Sequence, residues 1–287
     1  MALSYLSKAR INKFIKSALT EDVGDGDHTS LGSIPESDKS RARLLIKDSG
    51  VIAGIELAEM IFHHVDPSMK VEVKKKDGDW VESGDIALVV SGNTRNILKS
   101  ERLVLNCMQR MSGIATYTFK LNKLIEGTSA KLLDTRKTTP NFRMMEKWAV
   151  SIGGGVNHRF GLYDLVLLKD NHVDYAGGIK KAVNASVQYL KEKELDLDIE
   201  IEVRNMIELE EALELPRVKR ILLDNMLPSE MRLAVQKVNK TKETEASGGI
   251  NEKNIREIAE TGVDYISVGA LTHSYRSLDM SLKADKE

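Results

Sequence analysis

The pattern of hydrophobic and polar positions changes near Gly127, and the change divides the chain into two regions. Before Gly127, two segments carry apolar residues at helical spacing, and extended runs such as "RARLLIKDSGVIAGI" lie between them. The first segment has one apolar face, formed by Leu6, Ile11, Phe14, Ile15, Ala18 and Leu19. A second such face begins after Ser100 and continues past Gly113 to Ile125. Spacings of three and four residues predict amphipathic helices, so we expect an α+β region that ends in a long helix.

Short apolar runs alternate with amphipathic segments after Gly127. Six of these runs are candidate strands, at 131–134, 165–169, 199–203, 221–224, 243–246 and 263–268. Helices are expected at 179–190, 206–215, 228–238 and 251–261. This alternation predicts βα units and a parallel sheet. A barrel is the natural closure, although ordinary barrels of this type use eight strands, and an open doubly wound sheet is the alternative.

Three local signals predict turns and caps. Asp77 followed by Gly78 predicts a hairpin turn between two alternating segments, because glycine supplies the positive φ that such turns need. The acids of "EDVGDGDHTS" do not follow calcium-loop spacing, so this stretch is expected to be a turn in which Thr29 caps the next element. Asn251 is a suitable N-cap for the helix after the fifth strand.

Composition and charge exclude several classes of protein. A net charge of -1 and an aromatic content of 5% do not favour nucleic-acid binding, which needs clustered cations and stacking side chains. Cys107 is the only cysteine, so no internal disulfide or thiolate metal site is expected, and a reducing compartment fits. No signal-peptide pattern or apolar run of roughly 20 residues occurs. We therefore expect a cytoplasmic protein that binds neither nucleic acid nor membrane.

Charged residues or glycines lie at the ends of all six candidate strands. The third strand carries Glu200 and Glu202 on one face, and the other strands end on Asp134, Arg136, Lys137, Lys169, Asp170, Asp224, the stretch Ser247-Gly248-Gly249, and Gly269 with Ala270. The active site of a parallel α/β barrel lies at the C-terminal ends of its strands. Any one of these residues alone is more often solvated or part of a turn. Together, early cations and later acids suit a polyanionic substrate beside a metal ion or a developing cation.

The sequences "EASGGINEKNI" and "ISVGALTHS" follow the last two strands and predict a phosphate site. Glycine lets a phosphate approach backbone N–H groups, and barrels commonly bind phosphate after their last two strands, although two tight turns would use glycine equally well. His158 and Arg159 follow a run of three glycines and would present two donors to an anion. No dinucleotide fingerprint, P-loop or H-E-x-x-H zinc motif occurs in the chain.

Seven stretches, in this order and spacing, resemble the quinolinate phosphoribosyltransferase family. They are "EDVGDGDHTS", "ERLVLNCMQRMSGIAT", "DTRKTTPNFR", "GGGVNHRFGLYDLVLLKDNH", "LLDNM", "EASGGI" and "SVGALTHS". The resemblance extends from about residue 19 to residue 275. It implies an α/β fold, a six-stranded parallel α/β barrel with an N-terminal α+β open-faced sandwich domain. The domains would be 1–113, 114–272 and a segment 273–287 that returns to the N-terminal domain.

The resemblance also implies a reaction and the residues that perform it. The family transfers phosphoribosyl from phosphoribosyl pyrophosphate to quinolinate with Mg²⁺, and releases pyrophosphate, CO2 and nicotinate mononucleotide for NAD biosynthesis. The residues expected to bind the substrates are Arg102, Arg136, Lys137, His158, Arg159, Lys169, Glu202, Asp224, Ser247, Gly248, Gly249, Val268, Gly269, Ala270 and His273. Lys137, Lys169, Glu202 and Asp224 are expected to be catalytic, and the two acids to hold magnesium directly or indirectly. Glu200 shares a face with Glu202, so either could be the acid in the site.

The resemblance further implies a homodimer, with or without higher assembly. Arg102 matches an arginine that, in this family, reaches the site of the neighbouring subunit. One rival is a relative of the same fold, associated with molybdenum, that acts on another acceptor; the intact "TRKTTP" and "NHRFG" stretches favour quinolinate. A second rival is a non-catalytic phosphosugar sensor. The presence of both Glu202 and Asp224 argues against a sensor, because carboxylates hinder the binding of polyanions.

Overall fold

The computed structural model describes residues 5–285, and the chain forms two compact units. The first unit comprises the residues up to Phe119, the stretch Thr138–Gly154 and the residues from Thr272 onwards. The second unit comprises Lys120–Lys137 and Gly155–Leu271. The domain division predicted from the sequence, at residues 113 and 272, stays a prediction.

Helices and strands are distributed along the whole of the described chain. The helices are α1 (Lys8–Val23), α2 (His28–Ser33), α3 (Ile55–Val65), α4 (Thr94–Leu124), α5 (Arg143–Ile152), α6 (Asp170–Ala176), α7 (Ile179–Glu192), α8 (Met206–Leu213), α9 (Pro228–Val238), α10 (Ile255–Ala259) and α11 (Ala270–His273). The strands are β1 (Lys39–Ile46), β2 (Gly50–Val51), β3 (Lys70–Val73), β4 (Trp80–Val81), β5 (Ile86–Asn93), β6 (Lys131–Leu133), β7 (Val166–Leu168), β8 (Ile199–Val203), β9 (Val218–Asp224), β10 (Glu243–Ser247), β11 (Tyr265–Ser267) and β12 (Met280–Ala284). The predicted N-terminal and long helices are α1 and α4. None of the described helices is long and apolar enough to cross a membrane.

The first unit is built on an antiparallel sheet. Its strands lie in the order β12-β1-β5-β3, and a separate two-stranded sheet pairs β2 with β4. Along β1, every second residue towards its end is buried, namely Ala42, Leu44 and Ile46. Helix α3 adds further fully buried side chains, Leu57, Ile61 and Phe62. Alternation in the strand and helical spacing in α3 thus produce one apolar core, which confirms the predicted α+β region.

The predicted hairpin at Asp77 and Gly78 is wrong, although the turn itself is present. Gly78 has the expected positive φ of 95°. However, β3 before the turn pairs with β5, whereas β4 after it pairs with β2. The Asp77 carboxylate instead accepts the backbone N–H groups of Ile55 at 2.9 Å and Glu56 at 3.2 Å, so it caps α3. A local turn signal cannot identify the partners of the strands on either side.

Two predicted helix caps are also wrong by a few residues. The side chain of Asp27, not Thr29, caps α2 by accepting the Ser30 N–H at 3.1 Å. Helix α10 begins at Ile255, and the Asn251 side chain accepts the N–H of Lys253 at 3.0 Å in the preceding turn. In α2 the cap is thus the residue directly before the helix, whereas in α10 the Asn251 side chain stabilises the turn that precedes the helix.

The second unit contains the six predicted strands, all parallel. Their order is β6-β11-β10-β9-β8-β7, so consecutive strands pair from β7 to β11, and the first strand, β6, pairs with the last. An open doubly wound sheet places its first strand in the interior, whereas first-to-last pairing is typical of a closing barrel. On the other side of β6, Leu133 bridges to Val156 in a parallel sense. The predicted fold class is therefore confirmed.

Strand β8 illustrates how this sheet turns charged residues inwards. All five of its residues are buried. Side chains alternate between the two faces of a strand, so Ile199, Ile201 and Val203 share one face and leave Glu200 and Glu202 on the other. Helix α8 packs on β8 and β9 and covers the aliphatic side. The two glutamates therefore face the interior that the strands enclose.

Candidate functional site

The C-terminal ends of the strands bring most of the predicted site residues to one edge of the parallel sheet. Asp224 and Ser247 are register partners on β9 and β10. Glu202 pairs with Leu222, two residues before Asp224. Ser267 pairs with Leu133, so the segments that begin at 134 and 268 leave the sheet side by side. Because the strands are parallel, all these ends meet at the same edge.

The acidic part of this edge is formed by Glu202 and Asp224. Glu202 is 6% exposed, and its carboxylate lies 3.4 Å from the Nζ of Lys169 and accepts the Asp170 N–H at 3.3 Å. Asp224 is half-buried and accepts a hydrogen bond from the Asn225 side chain at 2.7 Å. A predicted cation and a predicted acid, which come from different strands, are therefore in contact.

The cationic part is formed by Arg159 and the segment that follows β6. The half-buried Arg159 donates from Nη1 to the Leu165 carbonyl at 3.2 Å. Burial, and then the positive charge of Arg136, lower the pKa of Arg159. Arg136 and Lys137 are exposed, and the Lys137 N–H donates to the Thr135 hydroxyl at 3.0 Å. Two like charges that repel each other favour an anion between them.

Asp134 ties the end of β6 to the segment that carries Arg159. It is 0% exposed, and its carboxylate accepts the His158 N–H at 2.8 Å and the Asn157 side-chain amide at 2.6 Å. The strand ends on this carboxylate because the buried N–H groups of the facing segment need an acceptor. The sequence identified Asp134 only as a charged strand end.

His158 lies in a buried charged cluster. Its Nε2 is 3.1 Å from Glu200 and 3.4 Å from Glu245, and the Arg220 guanidinium is 3.1 Å from Glu245 and 3.8 Å from Glu200. Its Nδ1 accepts the Arg159 N–H at 2.7 Å. Sequence reasoning missed Glu245 and Arg220, although the two-residue period in β9 and β10 could have indicated charged residues on one face.

The cluster holds an additional proton near neutral pH. Burial lowers the pKa of His158, but its contacts with Glu200 and Glu245 outweigh that effect and raise the pKa to about 9. Burial and the charge of Glu245 raise the pKa of Glu200. Although burial opposes it, the charges of His158 and Arg220 lower the pKa of Glu245. Because these groups interact strongly, they titrate as one unit, and the contact of Nδ1 with the Arg159 N–H places the additional proton on Glu200 rather than on Nδ1.

The glycines after β10 form a turn with positive φ values, and the first of them leaves no room for a side chain. Gly248 has a φ of 99°, and a Cβ atom there would lie 2.1 Å from the Asn225 side-chain oxygen. Gly249 has a φ of 60° and no atom near the position of a Cβ. The Asn225 N–H donates to the Ser247 carbonyl at 2.9 Å, which joins this turn to the end of β9. The last strand is held similarly, because the Val268 N–H donates to the Leu133 carbonyl at 3.0 Å.

Arg102 and His273 belong to the first unit. Arg102 is exposed on α4 and lies well inside that helix, which begins at Thr94. His273 ends α11, is exposed, and its Nδ1 lies 2.7 Å from the Ser274 hydroxyl. The predicted roles of both residues in substrate binding stay predictions.

The first unit also has an open cavity of about 840 Å³. Its lining comes from α1, α3 and α5 and includes Lys8, Glu56, His63, His64 and Trp148. The cavity contains none of the predicted site residues, and its charged side chains have both signs. Its size alone therefore does not favour it over the strand ends as a site of chemistry.

Comparison with known proteins shows similarity over nearly the whole chain. Residues 27–112 match the family model "Quinolinate phosphoribosyl transferase, N-terminal domain", and residues 114–283 match its C-terminal counterpart. The chain is 48% identical to "Nicotinate-nucleotide pyrophosphorylase [carboxylating], chloroplastic" from Arabidopsis thaliana, over 95% of this chain and 82% of that one. It is 38% identical to "Probable nicotinate-nucleotide pyrophosphorylase [carboxylating]" from Bacillus subtilis, over 96% and 94%. The structure of NadC from Streptococcus pyogenes is similar with a TM-score of 0.91 and 35% identity, over 99% and 100%.

Proposed function

The chain belongs to the quinolinate phosphoribosyltransferase family, and from that premise we propose that it transfers phosphoribosyl from phosphoribosyl pyrophosphate to quinolinate. The products are nicotinate mononucleotide, pyrophosphate and CO2, as in NAD biosynthesis. The observation that carries this proposal is the arrangement at one sheet edge of cations from β6 and β7 and acids from β8 and β9. Such an edge suits an anionic acceptor beside a sugar that becomes positively charged.

The cations of the site are proposed to bind quinolinate. Quinolinate carries two adjacent carboxylates, and the planar fork of an arginine donates two parallel hydrogen bonds to such a group. Arg136 and Arg159 supply two guanidinium groups, and Lys137 and Lys169 supply point charges. The lowered pKa of Arg159 supports this role, because it reflects burial and then a nearby cation, Arg136, whose repulsion an anion would offset.

Ribose transfer uses the acidic side of the edge. The pyridine nitrogen forms a bond to the anomeric carbon, and the bond to pyrophosphate breaks with its electron pair going to the leaving group. Positive charge grows on the ribose during this step, and the carboxylates of Glu202 and Asp224 stabilise it. Ser247, Gly248, Gly249, Val268, Gly269 and Ala270 are proposed to bind the 5′-phosphate, with help from His273. The positive φ values of the first two glycines support an approach of phosphate to the backbone.

Decarboxylation then needs little from the protein. The alkylated ring nitrogen is cationic, so it stabilises the electron pair that remains when the adjacent carboxylate leaves as CO2. That carbon takes up a proton from the surroundings, and no covalent cofactor is required. The protein holds the reacting groups in place, which lowers the barrier by removing their freedom to move.

Magnesium fits the donors present at the acidic part of the edge. Glu202 and Asp224 offer carboxylate oxygens from neighbouring strands, which is the ligand type that Mg²⁺ prefers. When bound, the ion offsets the charge of the pyrophosphate. We propose that these two residues hold it directly or through water, while Lys169 limits how closely it approaches Glu202.

We also propose a homodimer in which Arg102 completes the site of the neighbouring subunit. The exposure of Arg102 on the long helix α4 supports this. Mixing Arg102→Ala with Lys137→Ala chains tests it, because a mixed dimer would contain one intact site. Recovery of activity on mixing two inactive variants is expected. Two inactive variants that remain inactive together, although mixed dimers form, would contradict the shared site.

We also propose a cytoplasmic location. The buried Cys107 is compatible with a reducing compartment. Similar proteins from plants carry chloroplastic and mitochondrial names. Fractionation of the source cells should find the protein with cytoplasmic markers, and recovery with an organelle would refute the proposal.

The reaction itself can be tested directly with purified protein. The protein is incubated with magnesium, phosphoribosyl pyrophosphate and either quinolinate or nicotinate, and pyrophosphate and CO2 are followed. Equal amounts of both products are expected with quinolinate, and neither with nicotinate. Product from nicotinate alone would overturn the proposed acceptor.

A further inference from the structure

The segment from residue 156 to 161 carries Arg159 and is held mainly by side chains. The His158 N–H donates to Asp134 at 2.8 Å, and the Arg159 N–H donates to His158 Nδ1 at 2.7 Å. The N–H groups of the next two residues donate to the Asp164 carboxylate at 2.6 and 2.8 Å. Four successive backbone donors thus bind side chains, in a segment that is neither helix nor regular strand. Its conformation therefore depends on those side chains.

The contact of Arg159 with His158 determines which ring nitrogen carries the proton. Nδ1 accepts a hydrogen bond and so has no proton, which places the proton on Nε2. The Nε2–H group faces the carboxylates of Glu200 and Glu245, and its side chain is only 8% exposed. Carboxylates behind an imidazole commonly select its tautomer and orientation. His158 therefore directs both nitrogens towards protein groups.

A metal site is the alternative explanation for this cluster. Ligand atoms of His158, Glu200 and Glu245 lie within 4.8 Å of one another. A metal ion would have to bind Nε2, but that nitrogen carries the proton. Moreover, Arg220 already supplies a positive charge at 3.1 Å from Glu245. The hydrogen bonds thus favour a network that orients His158.

We propose that Glu245 and His158 are positioning residues for Arg159, and that they affect quinolinate binding only through the guanidinium of that arginine. The inference rests on the proposed function. Glu245 orients the imidazole of His158, the imidazole fixes the backbone of Arg159, and Arg159 reaches the carbonyl of Leu165 at 3.2 Å. The sequence predicts that His158 binds the substrate itself, whereas in this proposal His158 acts on substrate binding through its neighbour, Arg159.

The primary test compares Glu245→Gln with Glu243→Gln. Both residues contact Arg220, at 3.1 and 2.9 Å, but Glu245 also lies 3.4 Å from the imidazole of His158, whereas Glu243 is 35% exposed. Glu245→Gln is expected to raise the KM for quinolinate about 10-fold, which corresponds to about 1.4 kcal/mol. The KM for phosphoribosyl pyrophosphate should stay within about twofold, and Glu243→Gln should leave both constants within about twofold of the wild type. Equal effects of the two variants, or a KM for quinolinate that Glu245→Gln leaves unchanged, would overturn the inference.

A double-mutant cycle distinguishes positioning from a general loss of structure. In an Arg159→Lys background, Glu245→Gln should change kcat/KM by less than about twofold, because its effect passes through the arginine that is already altered. A merely structural role predicts the same factor in both backgrounds, and that result would refute the inference. The wild-type rate separates the two proposals, since an inactive wild-type protein would contradict the proposed function itself.

A second pair of variants keeps the inference testable if Glu245→Gln does not fold. The side-chain oxygen of an Asn at position 158 would lie near the position of Nδ1, so His158→Asn preserves the contact with the Arg159 N–H. The polar group of a Gln would lie near the position of Nε2 instead, so His158→Gln loses that contact. His158→Gln is expected to raise the KM for quinolinate about 10-fold, and His158→Asn no more than about threefold. The reverse order would show that the Nε2 position matters to the substrate directly.

Discussion

The antiparallel sheet of the first unit and helix α3 bury apolar side chains, whereas the parallel sheet of the second unit encloses charged ones. Leu44 and Phe62 of the first unit are fully buried among other apolar residues. In the second unit, Glu200 and Glu245 are 0% and 1% exposed and share Arg220 and His158 as partners. Burial of hydrocarbon stabilises a fold by about 25 cal/mol per Å². A buried ion pair often contributes less than an apolar replacement of the same volume would.

This difference separates the two tasks of the molecule. An apolar core needs only volume and shape, and it tolerates exchange of one apolar residue for another of similar size. A charged interior requires each group to keep its partner, because removing one partner leaves an uncompensated charge. The interior of the second unit is therefore less stabilising than an apolar one. Its charged contacts, however, hold the backbone that presents the site cations in one conformation.

The largest effect is expected where the apolar core is opened. Phe62→Ala should lower the free energy of unfolding by about 3–5 kcal/mol, because it leaves a cavity in a fully buried position. Urea unfolding measures the change. The rate per folded molecule should stay close to that of the wild type. A loss below about 1 kcal/mol would show that this core is less tightly packed than the comparison assumes.

Loss of a cation from the site should lower the reaction rate strongly and change the stability little. Arg159→Ala or Lys137→Ala should lower kcat/KM at least about 100-fold, or about 3 kcal/mol of transition-state stabilisation. Lys137 is exposed, so its replacement should change the free energy of unfolding by no more than about 0.5 kcal/mol. Steady-state rates and urea unfolding of the same samples provide both numbers. Near-normal turnover in either variant would contradict the site.

Two glycines allow a matched comparison of backbone requirements. Gly248→Ala should destabilise the protein by about 2–4 kcal/mol, because φ is 99° and the new Cβ would meet Asn225 at 2.1 Å. Gly32→Ala in the first unit should change the stability by less than about 1 kcal/mol, because its φ is not positive and no atom lies within 4 Å of the new Cβ. Thermal unfolding of both variants measures the difference. Equal losses would show that the turn at Gly248 is not specially constrained.

The charged interior should also make stability depend on pH. The pKa of His158, which titrates as one unit with Glu200 and Glu245, is raised to about 9 from its ordinary 6.5 in the folded protein. A raised pKa means that its contribution is complete below pH 6.5 and is lost as the pH rises towards 9. The loss should be on the order of 3 kcal/mol, at about 1.36 kcal/mol for each unit between 6.5 and 9. Urea unfolding at pH 6 and pH 9 measures it, and His158→Gln should flatten the dependence. An equal slope in both proteins would assign it to other groups.

Much of the fold follows from local patterns in the sequence. The alternation in "IEIEV" and the helical spacing of α7 and α9 predicted those elements within a few residues of their observed ends. The positive φ values at Gly78 and Gly248 also follow from residue type. In contrast, Asp77 caps a helix 21 and 22 residues away in the chain, which no local pattern indicates.

The amino-acid sequence alone determined which residues end the strands. Apolar and polar positions repeat with the period of a strand or of a helix, and each strand ends where its repeat stops. Only the tertiary structure decided what those ends contact. It separated Glu200, which faces His158, from Glu202, which faces Lys169, although both occupy the same face of one strand. The physical reason is that strand pairing joins residues far apart in the chain, and the low dielectric of the interior then makes each of those contacts decisive.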